Sequence, residues 1–269
     1  MLDQVARDGL VLLGCGKMGS ALLTGWLAAG VPATSVWVIE PNPTEWLRAS
    51  GVHLNEGVPE KPAVALLAVK PQMMGAALPS LVALGNGTTL FVSIAAGTTI
   101  AAFEAALGAR TPIVRTMPNT PAMVNRGITA LCRNGHVTDA GMALAVALMA
   151  AVGETVVLEG EHQIDAVTAV SGSGPAYVFH LIEAMAAAGV AEGLPEATAM
   201  QLARATVCGA GELAHRSPDS AAQLRVNVTS PGGTTAAALA VLMDDASGLP
   251  PLMRRAVRAA ADRGRELGK

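Results

Sequence analysis

Two stretches of this 269-residue chain place glycines where side chains would obstruct a ligand. The first is "VLLGCGKMGSALL", in which Gly14, Gly16 and Gly19 stand in the spacing G-x-G-x-x-G. It follows a strand-length apolar run and opens a helical pattern, the setting in which such glycines serve a dinucleotide. Gly14 makes the tight turn, Gly16 lets the backbone approach a pyrophosphate, and Gly19 lets the helix pack on the strand. The helix N-terminus then faces the phosphates, with Lys17 and Met18 inside the loop. An ordinary strand-to-helix turn can carry the same letters, so the neighbouring strand ends matter.

The second stretch is "NVTSPGGTTAAALAVLM", Asn227 to Met243. A glycine inside a helix costs roughly 1 kcal/mol relative to alanine. With Ser230 as N-cap, Pro231 takes the first helical position, where its missing N–H costs nothing. The N–H groups of Gly232, Gly233 and Thr234 would then point outward and bind an anion with help from the helix dipole. Thr235 follows with a free hydroxyl. The plain alternative is a glycine-softened cap that holds no ligand.

Further candidates fall at the ends of short apolar runs. "VIEPNP" puts Glu40 where a dinucleotide's adenosine ribose is read. An acid there bonds both ribose hydroxyls and repels a 2′-phosphate, so NAD is tolerated. If Glu40 points away instead, Asn42 lines the ribose pocket, and the choice between NAD and NADP stays open. "AVKPQ" supplies Ala68, Val69, Lys70 and Pro71; "SIAAG" supplies Ala95 and Gly97; "RTMPNTPA" supplies Asn119. Ligands in open α/β sheets sit outside such strand ends. The small residues leave room for a flat cofactor ring, and Lys70 can donate to ribose or phosphate.

The elements that must hold these loops are legible as a rhythm. Apolar, β-branched runs at 10–14, 35–40, 63–71, 88–97, 112–119, 127–134 and 155–160 alternate with helical patterns such as 20–30 and "TDAGMALAVALMAAVG". This predicts an α/β fold: a Rossmann-type dinucleotide-binding domain with a mostly parallel sheet. Beyond residue 160 the strand signals stop and alanine-rich helices take over. The expected division is 1–160 for the dinucleotide and 161–269 for an all-α dimerisation and substrate domain.

Composition narrows the partners. Charged residues make up 14% and hydrophobic ones 51%, against about 25% charge in an ordinary soluble chain. The shortfall suggests surface buried against further copies of the chain. A net charge of -3 gives no reason to expect nucleic acid or an anionic membrane. Three scattered cysteines form neither a disulfide framework nor a metal cluster, and no metal is expected. The amino-terminal stretch does not read as a signal peptide, and no run of 18 uncharged apolar residues occurs, so a soluble cytoplasmic protein is expected. The five histidines show no pairing with a nucleophile and no metal spacing.

Taken together, "GCGKMG", "AVKP", "SIAAG", "MPNTPA", "DAVTAVSGSGPAYVF" and "VTSPGGTT" resemble pyrroline-5-carboxylate reductase over nearly the whole chain. The last two motifs are the specific ones. The resemblance implies NAD(P)H-dependent reduction of (S)-1-pyrroline-5-carboxylate to L-proline, with NADPH as cofactor and NADH as the alternative. It implies a homo-oligomer built on dimers of the helical domain, which in the family often assemble into decamers. It also implies that Thr235 meets the ring nitrogen, that Ser230, Gly232, Gly233 and Thr234 surround the substrate carboxylate, and that Glu161 lies near the substrate amine. By the same resemblance Asn227 sits at the nicotinamide edge and Asn55 near the adenosine ribose. "SGSGPAY" would line the pocket by close backbone approach. The chain departs from the pattern at Lys17, where Asn or Gln is more usual, at Val226, often acidic, and at Glu40, where some members carry Ser or Arg.

Two rival readings remain at this level. A β-hydroxyacid dehydrogenase also joins a glycine loop to a helical domain, but it needs a catalytic lysine on the first long helix, and "SGSGPAYVFHLIEAMAAAG" has none. The other is a non-catalytic dinucleotide sensor that kept the fold; the intact Thr235 and glycines speak against it without excluding it.

Overall fold

The structure is a computed structural model that describes residues 2–268. Its strands are β1 (Leu10–Leu13), β2 (Val36–Ile39), β3 (His53–Leu54), β4 (Val64–Leu67), β5 (Leu90–Ser93), β6 (Ile113–Met117), β7 (Gly127–Arg133) and β8 (Gly153–Val157). Its helices are α1 (Leu2–Asp8), α2 (Lys17–Ala28), α3 (Glu45–Ala49), α4 (Pro71–Ala77), α5 (Ile100–Leu107), α6 (Asp139–Ala150), α7 (Ile164–Val167), α8 (Gly174–Ala191), α9 (Glu196–Arg216), α10 (Ala221–Asn227), α11 (Thr234–Leu242) and α12 (Leu249–Leu267).

The strands form one sheet in the order β3-β2-β1-β4-β5-β6-β7-β8. Every pairing is parallel except β6 with β7. β1, β4 and β5 are buried along their whole length, because helices cover both faces of the sheet. That is why they read as unbroken apolar runs. One core cluster gathers Leu10, Leu12, Leu22, Trp26 and Leu148, and a second gathers Val11, Leu13, Leu67, Phe91 and Phe103. Trp26 lies wholly inside the first, where its indole N–H donates to the Leu148 carbonyl at 2.9 Å.

Two elements differ from the expectation. α2 begins at Lys17, three residues before the helical pattern alone suggested, because the glycine loop closes directly into it. β3 is only two residues long; it pairs with β2 through Trp37 opposite His53, whose rings stack at 4.6 Å.

The chain folds as two compact units, Met1–Gly172 with Ala261–Lys269, and Ser173–Ala260. The first unit runs past residue 160 because Ile164 is buried in the second core cluster. It also recruits the end of α12: the α-carbon side of Gly97 faces Leu267, and Gly264 lies against Asp165. In the second unit α8 packs on α9, with Ala186, Ala199 and Ala203 as its small buried core. Phe179, Leu181, Leu202, Val241 and Leu242 stay exposed there. The helical run Glu161–Ala191 is long and apolar enough to span a membrane by length and hydropathy, although little of it is buried.

Candidate active site

The strand order reverses between β1 and β4, and in open parallel sheets the ligand crevice lies at that reversal, beyond the carboxyl ends of the strands. Backbone bonds line up the loops there. Gly14 N–H donates to Ile39 O at 2.8 Å, Ala68 N–H to Leu13 O at 2.8 Å, and Ile94 N–H to Leu67 O at 3.1 Å. Gly14, Glu40, Ala68, Val69 and Ala95 therefore follow the ends of four adjacent strands. Lys70 caps α4 with Pro71 in its first turn, and both are exposed.

The three glycines have three different reasons. Gly14 sits at φ +89°, and a Cβ there would meet Val69 Cγ1 at 2.8 Å and the Ala68 carbonyl at 3.0 Å. Gly19 backs onto the Gly14 carbonyl, which a Cβ would approach to 2.7 Å. Gly16 is different: nothing lies within 4 Å of where its Cβ would be. The open space at Gly16, ahead of the α2 N-terminus, accepts a pyrophosphate. Gly16 caps α2 with no side-chain hydrogen bond, so the first-turn N–H groups are not taken by a capping side chain. Lys17 begins the helix with its side chain exposed, and Met18 packs against the first core cluster. A dinucleotide fits this cradle.

Glu40 turns back toward the glycine loop. Its carboxylate accepts the Cys15 N–H at 2.8 Å through Oε2 and the Asn42 N–H at 2.9 Å through Oε1. Asn55, held at φ 57°, fixes the Glu40 backbone from the other side. Its Oδ1 accepts the Glu40 N–H and its Nδ2 donates to the Glu40 carbonyl, each at 3.0 Å.

The end of β6 is framework. Asn119 is almost wholly buried; its Oδ1 accepts the Ile128 N–H at 2.9 Å and its Nδ2 donates to the Ser171 carbonyl at 3.2 Å. Its side chain thus joins β6, β7 and the π-helical turn Thr168–Gly172 that precedes α8. Gly172 allows this approach, since a Cβ would lie 2.7 Å from Met117 Cε. Sequence reasoning passed over Arg115, which is 5% exposed in β6. Its guanidinium donates to Glu161 Oε1 at 2.6 Å, and the same oxygen accepts the Ile100 N–H at 2.8 Å. Glu161 therefore spends its charge on a strand arginine and on the first turn of α5. A charged letter amid "PIVRTM" was the available signal, since a charge on a doubly covered strand needs a partner.

In the second unit the geometry of "TSPGGTT" corrects one expectation. Ser230 is not the N-cap and Pro231 is not helical. Gly233 N–H donates to the Ser230 carbonyl at 3.0 Å, closing a turn with Pro231 and Gly232 at its centre and Gly232 at φ +68°. Proline followed by a positive-φ glycine is the pattern of a type II turn, and it takes precedence over the cap. The N-cap is Gly233, with no side-chain hydrogen bond, and α11 starts at Thr234. The N–H of Gly233 is therefore spent. The first helical rung is Ala237 N–H to Gly233 O, so the groups without a rung are those of Thr234, Thr235 and Ala236. Thr235 is half-buried. Asn227 ends α10, with its Oδ1 accepting from Gln223 Nε2 at 2.7 Å.

A family model described as pyrroline-5-carboxylate reductase dimerisation matches residues 161–267. A second, described as NADP oxidoreductase, coenzyme F420-dependent, matches residues 10–97. A pyrroline-5-carboxylate reductase of Pseudomonas aeruginosa is 41% identical over 266 residues, 97% of this chain and 97% of the relative. Its counterpart in Haemophilus influenzae is 39% identical and covers 96% of this chain and 97% of the relative. Among solved structures, a pyrroline-5-carboxylate reductase from Coxiella burnetii matches with a TM-score of 0.90 at 35% identity, over 97% of this chain and 99% of that one. The Plasmodium falciparum pyrroline carboxylate reductase, solved with NADP bound, matches with a TM-score of 0.82 at 28% identity, over 98% and 99%.

Proposed function

This chain belongs to the pyrroline-5-carboxylate reductase family, and from that premise we propose which of its residues perform the reaction. It is an NAD(P)-dependent oxidoreductase that reduces the C=N bond of (S)-1-pyrroline-5-carboxylate to give L-proline, the last step of proline biosynthesis. Its cofactor is a nicotinamide dinucleotide of the NADP(H) type, with NAD(H) also admitted and no order between the two fixed by the family. When bound, the reduced nicotinamide supplies the hydride to the imine carbon. The protein has then to hold the ring, balance the carboxylate and meet the ring nitrogen, which must end protonated.

The observation that carries the assignment of roles is the Ser230–Gly233 turn. It ends at a helix start with no capping side chain. The N–H groups of Thr234, Thr235 and Ala236 are the donors for the substrate carboxylate, strengthened by the helix dipole. The space around Gly232, where nothing lies within 4 Å of a Cβ position, admits that anion. The Thr235 hydroxyl hydrogen-bonds the ring nitrogen. A protonated imine is already electrophilic, so a hydrogen bond there suffices and no strong base is called for. Gly14, Gly16, Lys17, Met18 and Gly19 hold the pyrophosphate; Glu40, Asn42 and Asn55 the adenosine ribose; Ala68, Val69, Lys70, Pro71, Ala95 and Gly97 line the ring side, with Asn119 supporting them as framework. The resemblance alone assigns Glu161, whose charge is spent on Arg115 and on α5, to the substrate, and Asn227 to the nicotinamide edge.

We further infer that residues 161–269 form the dimerisation and substrate part. The exposed Phe179, Leu181, Leu202, Val241 and Leu242 fit burial against another copy. On this reading the helical run Glu161–Ala191 meets protein rather than lipid, and the dimers build a decamer. The free cysteines Cys15, Cys132 and Cys208 fit a reducing cytoplasm. No nucleic-acid or membrane partner enters the proposal.

The test is direct. Purified protein is mixed with 1-pyrroline-5-carboxylate, and the absorbance of reduced cofactor is followed with NADPH and with NADH. Oxidation that depends on the substrate is expected, and no oxidation with either cofactor overturns the assignment.

A further inference from the structure

We propose that Glu40 makes this chain bind NAD(H) more tightly than NADP(H), by holding a fixed negative charge and both nearby backbone donors at the adenosine-ribose position. The proposal rests on the dinucleotide reading above and deepens it.

The carboxylate follows β2 directly, at the strand end next to the glycine loop. It is held by two backbone donors, and the residue's own backbone is held from the other side. Cys15 N–H donates to one oxygen at 2.8 Å and Asn42 N–H to the other at 2.9 Å. The Asn55 amide grips the Glu40 backbone through two bonds of 3.0 Å. Asn55 itself is anchored, its N–H donating to Val38 O at 2.8 Å from a left-handed backbone that asparagine tolerates. A side chain tied this way loses little further freedom when cofactor binds.

The consequence differs for the two cofactors. A 2′,3′-diol is neutral and needs acceptors, and carboxylate lone pairs beyond the two backbone bonds supply them. A 2′-phosphate carries close to two negative charges and needs donors or cations. Here it meets a carboxylate, and the two nearby N–H groups are already given to Glu40. The nearest cations in sequence do not offset this. Arg48 lies at the far end of α3, eight residues on, and Lys17 belongs to the pyrophosphate loop. Like charges a few ångströms apart near a protein surface shift affinity by about tenfold or more at low salt, and less as salt rises.

The experiment measures dissociation constants for NAD+ and NADP+ by isothermal titration calorimetry on the purified enzyme, without substrate, at low and at high salt. Wild type is expected to bind NAD+ about tenfold or more tightly than NADP+, with the ratio narrowing as salt rises. Glu40→Gln keeps an acceptor and removes the charge; it is expected to tighten NADP+ binding and bring the ratio near unity. A fold check by circular dichroism accompanies it. NADP+ binding as tight as NAD+ in wild type overturns the proposal. So does an unchanged ratio in a folded Glu40→Gln. Binding of neither cofactor instead overturns the dinucleotide reading itself, and that outcome is distinct from a wrong preference.

Discussion

Arg115 and Glu161 meet at 2.6 Å across the junction between β6 and the start of the carboxyl-terminal helices. The arginine is buried on a central strand, the glutamate is 30% exposed, and the same Glu161 oxygen caps the first turn of α5 through the Ile100 N–H. One oxygen thus ties a strand, a helix N-terminus and the segment leading to α7.

Removing that oxygen leaves a buried guanidinium without its counter-charge. Glu161→Ala is expected to lower stability by roughly 3 kcal/mol, the low end for a broken buried pair because Glu161 is partly solvated. Urea unfolding followed by circular dichroism measures it. A midpoint equal to wild type would mean that the pair holds nothing.

The glycine loop separates a backbone requirement from a ligand requirement. Gly14→Ala forces an alanine to φ +89° and its Cβ onto Val69 and Ala68. It is expected to cost about 1–3 kcal/mol of stability as well as cofactor binding. Gly16→Ala meets no protein atom. It is expected to keep the melting temperature of wild type while weakening cofactor binding severely. Thermal melts and calorimetric titrations of the two variants check this, and equal melting losses would defeat the distinction.

Thr235→Ala removes the hydroxyl, together with the γ-methyl, at the second helical position of α11. Turnover is expected to fall on the order of a hundredfold. The dissociation constant for oxidised cofactor should stay near wild type. Wild-type turnover in this variant takes Thr235 out of the mechanism.

Cys132 faces Arg115 across the β6–β7 ladder. Burial, reinforced by the Glu161 carboxylate, pushes its thiol up to about 11 from the ordinary 9.0. The folded state therefore holds this proton more tightly than the unfolded chain does. Its contribution to stability is complete below pH 9 and is lost as pH climbs toward 11. Wild type and Cys132→Ala should accordingly converge in unfolding midpoint between pH 9 and pH 11, the span between those two values. A gap that stays constant over that range would refute the coupling.

Much of the fold was legible because its strands are buried on both faces and so read as short apolar runs at regular spacing. β3 was not, since two residues with a histidine carry no periodicity. The cofactor loops were legible from glycine spacing and strand ends. The Glu40 hydrogen bonds were not, because nothing in the letters shows that its carboxylate also accepts the Cys15 and Asn42 N–H groups. The Ser230–Gly233 segment misled for a definite reason. Ser-Pro before a helix suits an N-cap with proline in the first turn, and Pro-Gly suits a type II turn. Only the φ of +68° at Gly232 decides between them. Arg115 was hidden because its partner lies far along the chain, at Glu161.

The end of α12 carries a consequence for biosynthesis. Gly97, in the loop after β5, has Leu267 as its neighbour, and Gly264 lies against Asp165. Those partners leave the ribosome only after the entire Ser173–Ala260 unit has been translated. The sheet strands emerge early and can pair in order, but the nascent protein holds an unbuttressed Gly97 loop until the far side of the helical unit has been made. Its amino-terminal half is begun first and completed last.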